Sequence, residues 1–176
     1  KSTKRTVDPS AFVLDMGQNL AGFPEITVRG KKGQKITLLV SESLTDEGAC
    51  NQRQTGRQHY YEYILKGEGV ETWHPRFSYY GFRYIQVEGA VLKGQKNTLH
   101  LPVIQKIQSC FVYNSAPKVS TFQCSNRIFN EAHRLIEKAV RSNMQSVFTD
   151  CPHREKLGWL EQDHLCGPGL LYNYDL

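Results

Sequence analysis

The sequence has no long hydrophobic run and no concentration of charge of one sign. No apolar stretch approaches the roughly 20 residues that a membrane-spanning helix needs, so we expect no membrane partner. The 22 lysines and arginines are interleaved with 17 acidic residues. Because no basic stripe of the kind that follows a phosphate backbone occurs, we do not expect nucleic acid as a partner.

A disulfide framework is also missing. The five cysteines are odd in number and widely spaced, at Cys50, Cys110, Cys124, Cys151 and Cys166. A small secreted domain held by disulfides would carry a dense and even set, so we expect at least one free thiol here. With 176 residues, of which 39% are hydrophobic, the chain is long enough to bury one good core or two small ones.

From residue 11 to about residue 114, the apolar residues come in short runs separated by turn residues. Residues 23–29 and 34–40 flank the turn segment Gly-Lys-Lys-Gly and predict a hairpin. The same pattern recurs in four further segments, at residues 59–65, 82–87, 98–104 and 110–113. Six to nine short strands with hardly any helix are typical of an antiparallel β-sandwich of the jelly-roll kind.

Beyond Pro117 the apolar period becomes helical. Apolar residues recur at helical spacing, at Ile128, Phe129, Ala132, Leu135, Ile136, Ala139 and Val140. We predict a helix over residues 126–143, capped by Ser125 or Asn126, with Phe129, Leu135 and Ile136 buried. A second helix is predicted from about residue 157 to 165, bounded downstream by the Gly-Pro-Gly of residues 167–169.

The boundary between the two halves is predicted near the turn-rich Asn-Ser-Ala-Pro of residues 114–117. This division makes residues 1–116 a β-sandwich domain and residues 117–176 a separate helical segment. No internal repeat or low-complexity tract is present.

The densest cluster of reactive side chains lies at residues 149–164, which hold four carboxylates, two imidazoles and a thiol. Sugar hydrolysis needs a protonated acid beside the leaving oxygen and further carboxylates that bind hydroxyls, and Glu155 is the natural acid candidate. Trp159 can line a sugar. A structural interpretation competes: Asp150 would cap the second helix, Glu155 and Glu161 would lie on its solvated face, and Trp159 would be core.

Two further chemistries deserve comparison at the same segment. Cys151, His153, His164 and Cys166 have the residue types of a zinc site, but the ten-residue interval containing a predicted helix is not a familiar ligand spacing. Cys151 could serve as a nucleophile only with a base beside it, and the sequence places no histidine there. We therefore predict no metal site.

The β half contains an aromatic segment at residues 73–84, W-H-P-R-F-S-Y-Y-G-F-R-Y. An exposed aromatic strip is one way in which sandwich modules hold sugar rings, which makes a non-catalytic carbohydrate-binding module the alternative function. Packing in the core, around a bulge or turn at Gly81, is the commoner explanation. A flat exposed patch would favour the first interpretation, and burial would favour the second.

Three segments resemble motifs of one family. Residues 150–159, D-C-P-H-R-E-K-L-G-W, resemble the catalytic-domain signature D-C-P-x-R-(E)-x-L-G-W of bacterial α-L-rhamnosidases, glycoside hydrolase family 78. Residues 15–22 resemble that family's D-x-G-Q-N-x-x-G turn, and residues 75–84 resemble its P-x-F-x-x-x-G-F-R-Y segment. The three motifs occur in family order over residues 11 to about 165. The resemblance favours a catalytic role for Glu155 over the structural interpretation.

The resemblance implies a β-sandwich accessory domain followed by the first helices of an (α/α)₆ toroid. It also implies a hydrolase without metal or cofactor that removes terminal α-linked L-rhamnose with inversion. By motif position, Glu155 is the general acid and Asp150 a sugar-binding carboxylate. Arg154 and Trp159 are further expected sugar contacts, and either Glu161 or Asp163 takes the role of a second binding acid.

The same resemblance implies that essential parts lie outside these residues. The family's general base is far downstream, and the residues that follow Thr121 are too few to close a toroid. We therefore expect a fragment that is inactive alone and whose open apolar faces favour self-association into a homo-oligomer. The expected ligand is a rhamnose-containing glycan or glycoside. No sequence signal fixes the location, and the resemblance favours the periplasm or the extracellular space.

Overall fold

The structure, a computed structural model, describes residues 3–5, 11–54 and 56–176. The backbone divides into two compact units, one ending at Phe111 and the other running from Val112 to Leu176. The predicted domain boundary, between residues 116 and 117, stays a prediction. The elements of the described residues are β1 (Thr3–Arg5), β2 (Phe12–Arg29), β3 (Lys35–Ser41), β4 (Tyr60–Ile64), β5 (Val70–Trp73), β6 (Tyr80–Glu88), β7 (Val91–Leu92), β8 (Val103–Phe111), α1 (Arg127–Asn143) and α2 (Leu160–Asn173).

Strand β2 is the centre of the β unit. Its first half pairs with β1 and β6, and its second half pairs with β5 and β8. The sheet runs in the order β4-β3-β6-β2-β8-β7, and among the described strands only β7 and β8 pair in parallel. The predicted fold class, an antiparallel β domain followed by helices, is confirmed.

Gly22 marks the place where β2 changes partners. It lies opposite Tyr80 of β6 and also opposite Phe111 of β8. A Cβ atom at this position would lie 1.9 Å from the backbone carbonyl oxygen of Cys110, closer than any side chain can approach. Glycine is therefore required here, because the backbones of β2 and β8 are in direct contact.

The predicted hairpin between residues 23–29 and 34–40 is wrong. Both segments are strands, but β6 lies between β2 and β3 and pairs with each of them. The connecting turn is bonded to other segments, since the Gly33 N–H donates to the Leu65 carbonyl at 2.9 Å and the Gln34 side-chain Nε2 donates to the His100 carbonyl at 2.9 Å. Alternation identifies a strand and its buried face, but it does not name the neighbouring strand.

One continuous cluster forms the core of the β unit. Alternate residues of β3, Ile36, Leu38 and Val40, are fully buried, which is the period-two pattern of a strand with one covered face. The remaining buried members come from other strands and loops and are Phe12, Leu14, Leu20, Ile26, Val28, Tyr61, Leu65, Phe82, Ile85, Val87, Ala90 and Ile104. The two segments predicted as strands at residues 98–104 and 110–113 contribute to a single strand, β8.

Helix α1 begins and ends close to its predicted bounds. Asn126 is the N-cap, and its side-chain oxygen accepts a hydrogen bond from the Ile128 N–H at 2.9 Å. The predicted burial is wrong, because Phe129, Leu135 and Ile136 expose 60%, 61% and 61% of their surface. The periodicity shows which face of the helix is apolar, but the helical unit supplies no surface that covers this face.

Helix α2 differs from its prediction at both ends, since it runs over Leu160–Asn173 and passes through Pro168. The Gly-Pro-Gly of residues 167–169 does not end the helix, and the end of the helix is hydrogen-bonded to the segment that precedes α1. The Val119 N–H donates to the Asn173 carbonyl at 2.9 Å, and the Asp175 N–H donates to the Pro117 carbonyl at 3.0 Å. Neither described helix has the length and apolar character needed to cross a membrane.

Candidate active site

The signature segment forms a closed loop between the two helices. The Asp150 N–H donates to the Leu157 carbonyl at 3.0 Å, and the Leu157 N–H donates back to the Asp150 carboxylate at 3.0 Å. Lys156 has a left-handed φ of 55°, which reverses the chain at this point. These contacts place Asp150 beside Leu157 and leave residues 151–156 as the tip of the loop.

The Asp150 carboxylate is held in its charged form. Burial by itself raises the pKa of this carboxyl, but hydrogen bonds from the backbone N–H groups of Leu157 and Cys151 and from the Cys151 side chain outweigh that effect. The net pKa lies below the ordinary value. The half-buried Asp150 is therefore suited to accept hydrogen bonds from sugar hydroxyls, and it is not suited to donate a proton.

Glu155 lies at the tip of the loop, outside any helix. Its carboxylate accepts a hydrogen bond from the Arg154 guanidinium at 2.7 Å, and the two side chains are 38% and 57% exposed. The Glu155 N–H donates to the Cys151 sulfur at 3.3 Å. Both charged groups are thus accessible to a ligand, while the backbone that carries Glu155 is fixed.

Gly158 of the signature lies where the loop meets the segment that precedes it. A Cβ atom there would lie 2.9 Å from the Val147 side chain. That segment is itself tied down, because the Thr149 N–H and hydroxyl both donate to the Asn143 carbonyl, at 2.9 and 3.2 Å. The close approach of the loop to Val147 therefore depends on a residue without a side chain at position 158.

The other predicted sugar contacts are exposed at the start of α2. Trp159 is the N-cap residue, makes no side-chain capping hydrogen bond and is 48% exposed. Glu161 and Asp163 lie in the first turn, where carboxylates interact favourably with the positive end of the helix. Among the described residues, neither acid makes a hydrogen bond or ion pair with Glu155 or Asp150, so these contacts do not favour Glu161 or Asp163 as the second binding acid.

The structural interpretation holds for Glu161, which is exposed on α2, but not for the other three residues. Asp150 does not cap α2, because its carboxylate binds Leu157 and the N-cap is Trp159. Trp159 is not core, and Glu155 lies in a turn. In the part of the chain that the structure describes, no three His, Cys, Asp or Glu side chains are grouped as metal ligands, so Cys151, His153, His164 and Cys166 do not form a zinc site there.

The two upstream motifs meet in the β unit and have a structural role. Arg83 donates to both carboxylate oxygens of Asp15, at 2.9 and 2.8 Å, and this pair lowers the pKa of Asp15 to about 2. Asp15 also accepts the Gly17 N–H at 2.8 Å, and Asn19 donates to Glu42 at 2.6 Å. The resemblance alone gave no role for these residues, and the ion pair joins the two motifs.

The aromatic segment at residues 73–84 does not form a flat exposed patch. Phe82 is fully buried, and Trp73 stacks on Tyr63 with ring centroids 4.9 Å apart. Tyr80 stacks on the buried His59 at 4.2 Å, and among these rings Phe77 is the fully exposed one. This arrangement fits core packing and gives the alternative function, a carbohydrate-binding module, no continuous binding face.

Comparison with known families covers nearly the whole chain. Residues 5–113 match the bacterial alpha-L-rhamnosidase concanavalin-like domain. Residues 117–176 match the bacterial alpha-L-rhamnosidase 6 hairpin glycosidase domain. The chain belongs to the bacterial α-L-rhamnosidase family. In this rhamnosidase-family chain, α1 and α2 are therefore helices from the start of the (α/α)₆ hairpin domain, and the signature loop connects them.

Individual rhamnosidases agree with this assignment. A curated alpha-L-rhamnosidase of Formosa agariphila is 34% identical over 171 residues, which cover 94% of this chain and 17% of that protein. The alpha-L-rhamnosidase structure from Dictyoglumus thermophilum matches at a TM-score of 0.84 with 30% identity, over 99% of this chain and 19% of that one. The Streptomyces avermitilis alpha-L-rhamnosidase, solved in complex with L-rhamnose, matches at a TM-score of 0.80 with 32% identity, over 95% and 16%.

Proposed function

We propose that this chain is part of an inverting α-L-rhamnosidase in which Glu155 is the general acid. The observation that carries the proposal is the signature loop, which holds one carboxylate charged at Asp150 and presents a second, accessible carboxylate at Glu155. The two positions suit different tasks, because a charged carboxylate can accept hydrogen bonds from sugar hydroxyls while an accessible carboxyl can approach the leaving oxygen. The ligand is a terminal α-linked L-rhamnose.

Arg154 has a double role in this proposal. Its guanidinium donates a hydrogen bond to the Glu155 carboxylate at 2.7 Å, and this contact occupies an oxygen that the proposed acid must present to the leaving group. The pair therefore has to open before the reaction. An exposed ion pair is weak, and the sugar hydroxyls offer the guanidinium new acceptors. We propose that Arg154 turns to the sugar and releases Glu155 for protonation.

The exposed residues at the start of α2 complete the proposed sugar site. Trp159 offers an apolar ring face for the sugar ring, and Glu161 or Asp163 offers carboxylate oxygens to its hydroxyls. An inverting enzyme also needs a base on the opposite side of the sugar, about 6.5 to 9.5 Å from the acid. We propose that this base is supplied by residues outside the chain, which spans 16% to 20% of the relatives' length.

The test is Glu155→Gln in the complete enzyme that contains this sequence. Glutamine keeps the size and the contact with Arg154 but cannot donate the proton, so turnover of a natural rhamnoside should fall by about 100-fold or more. Aryl rhamnosides with activated leaving groups should be affected less, because such groups hardly need a proton. Product anomers followed by NMR in the first minutes should show inversion of configuration.

Glu131→Gln is a matched control, because Glu131 is also an exposed glutamate paired with an arginine, Arg134, but lies on α1 outside the signature. Its turnover should equal that of the wild type. Unchanged turnover of the Glu155→Gln enzyme on the natural substrate would remove Glu155 from the mechanism. Retention of configuration in the wild type would contradict the inverting mechanism.

A further inference from the structure

Cys151 contacts both Asp150 and Glu155 in the signature loop. Its sulfur accepts the hydrogen bond from the Glu155 N–H at 3.3 Å. In the other direction, a hydrogen bond from its side chain is among the contacts that keep the Asp150 carboxylate charged. A thiol can make both contacts at once, because the S–H group donates while the sulfur accepts.

We propose that Cys151 is a positioning residue, whose thiol fixes the Asp150 carboxylate and the backbone of Glu155 in one arrangement. The inference rests on the proposed function of those two residues. Cys151 is not itself expected to touch the sugar or to act as a nucleophile.

The backbone around Cys151 supports this role. The next residue, Pro152, is buried, and a proline restricts the preceding residue to an extended conformation. The direction of the half-buried Cys151 side chain is thereby limited. Leu157 closes the same loop through Asp150. The thiol therefore acts inside a loop that is already closed, and its contacts refine the positions of the two carboxylates.

Hydrogen bonds to sulfur are weak, so the loss of this thiol should alter activity more than folding. Reaction rates are sensitive to the position of a catalytic group, and a displacement of about 1 Å can lower them about 100-fold. Cys151→Ala should therefore lower kcat/KM of the complete enzyme on a natural rhamnoside by about tenfold. In the 176-residue chain it should raise the pKa of Asp150, followed by NMR of the carboxyl carbon.

Cys151→Ser is the conservative variant, because a hydroxyl also donates and accepts. It should restore both the titration of Asp150 and most of the turnover. Cys166→Ala is the matched control, since Cys166 is another half-buried free cysteine, within α2. It should change neither quantity.

The outcomes separate this inference from the proposed function. If Glu155→Gln abolishes turnover while Cys151→Ala leaves both kcat/KM and the Asp150 titration unchanged, the positioning role is wrong and the function stands. If Cys151→Ala does not fold, the Cys151→Ser variant decides. Wild-type Asp150 titration and turnover in Cys151→Ser support the positioning role. A Cys151→Ser enzyme that folds but has lost both the wild-type titration and the turnover overturns it. If Glu155→Gln retains turnover, the proposed function fails, and the Asp150 titration still tests the contact.

Discussion

The β unit and the helical unit differ in how far their apolar residues are buried. In the β unit, residues from β2, β3, β4, β6 and β8 form one buried cluster. In the helical unit, the apolar face of α1 is largely exposed, although its period is as regular as that of the strands. The buried residues of these five strands pack against one another. The comparison teaches that an amphipathic pattern buries residues only where a complementary surface is present.

The same substitution in both units gives the sharpest test of this comparison. Phe82→Ala removes a fully buried ring and should lower the free energy of unfolding of the β unit by about 3–5 kcal/mol. Phe129→Ala removes a ring that is 60% exposed and should change stability by less than about 0.5 kcal/mol. Urea unfolding followed by Trp73 fluorescence, in a Trp159→Phe background, reports on the β unit. Unfolding of the helical unit is followed by Trp159 in a Trp73→Phe background. Equal losses for the two variants would contradict the comparison.

Alanine in place of glycine should have opposite effects in the two units. Gly22→Ala places a methyl group against the Cys110 carbonyl, and the backbone displacement should destabilise the β unit by about 1–3 kcal/mol or more. At Gly169, inside α2, a Cβ atom meets nothing within 4 Å. Gly169→Ala should therefore stabilise the helical unit by about 0.5–1 kcal/mol. Thermal unfolding by circular dichroism measures both, and a stable Gly22→Ala protein would show that β2 and β8 can separate.

Acid should weaken the β unit through Asp15. Arg83 lowers the pKa of this carboxyl from its ordinary 3.8 to about 2. The contribution of the charged form is thus complete above about pH 4 and is lost as the pH falls towards 2. Asp15→Asn should reduce the loss of stability between pH 4 and pH 2, measured as the urea midpoint of the Trp73 signal. An unchanged pH profile of Asp15→Asn would contradict the role of the pair with Arg83.

The helical unit should respond to acid in the same direction. Asp150→Asn should reduce its loss of stability at low pH, followed by Trp159 fluorescence, because the pKa of Asp150 is also lowered.

Local patterns predicted the elements better than their partners. Alternation located the strands, and the cap at Asn126 and the helical period located α1. The hairpin prediction failed because strand pairing depends on contacts between distant residues, here with β6. The burial of Phe129 failed because it depends on a surface that the helical period does not describe.

For the candidate site, the residue types and the signature spacing identified Asp150 and Glu155 as a pair of carboxylates. They could not reveal the hydrogen bonds that distinguish the two. The return of the Leu157 N–H to Asp150 depends on the left-handed backbone of Lys156, and lysine gives no sequence signal for that conformation. The contacts of Cys151 with Asp150 and Glu155 could not be predicted either, because the sequence suggested only a metal ligand or a nucleophile at this position.

The change of partners along β2 also has consequences for how the chain reaches its fold. Phe12 of β2 pairs with Val87 of β6, and Gly22 of β2 pairs with Phe111 of β8. Strand β2 therefore cannot complete its pairing until β8 has been synthesised. Closing such large loops is entropically costly before any contact compensates for it, which slows folding. During synthesis, the apolar residues of β2 therefore stay without their partners until most of the unit has left the ribosome. The exposed strand is then a site where intermolecular pairing competes with native folding.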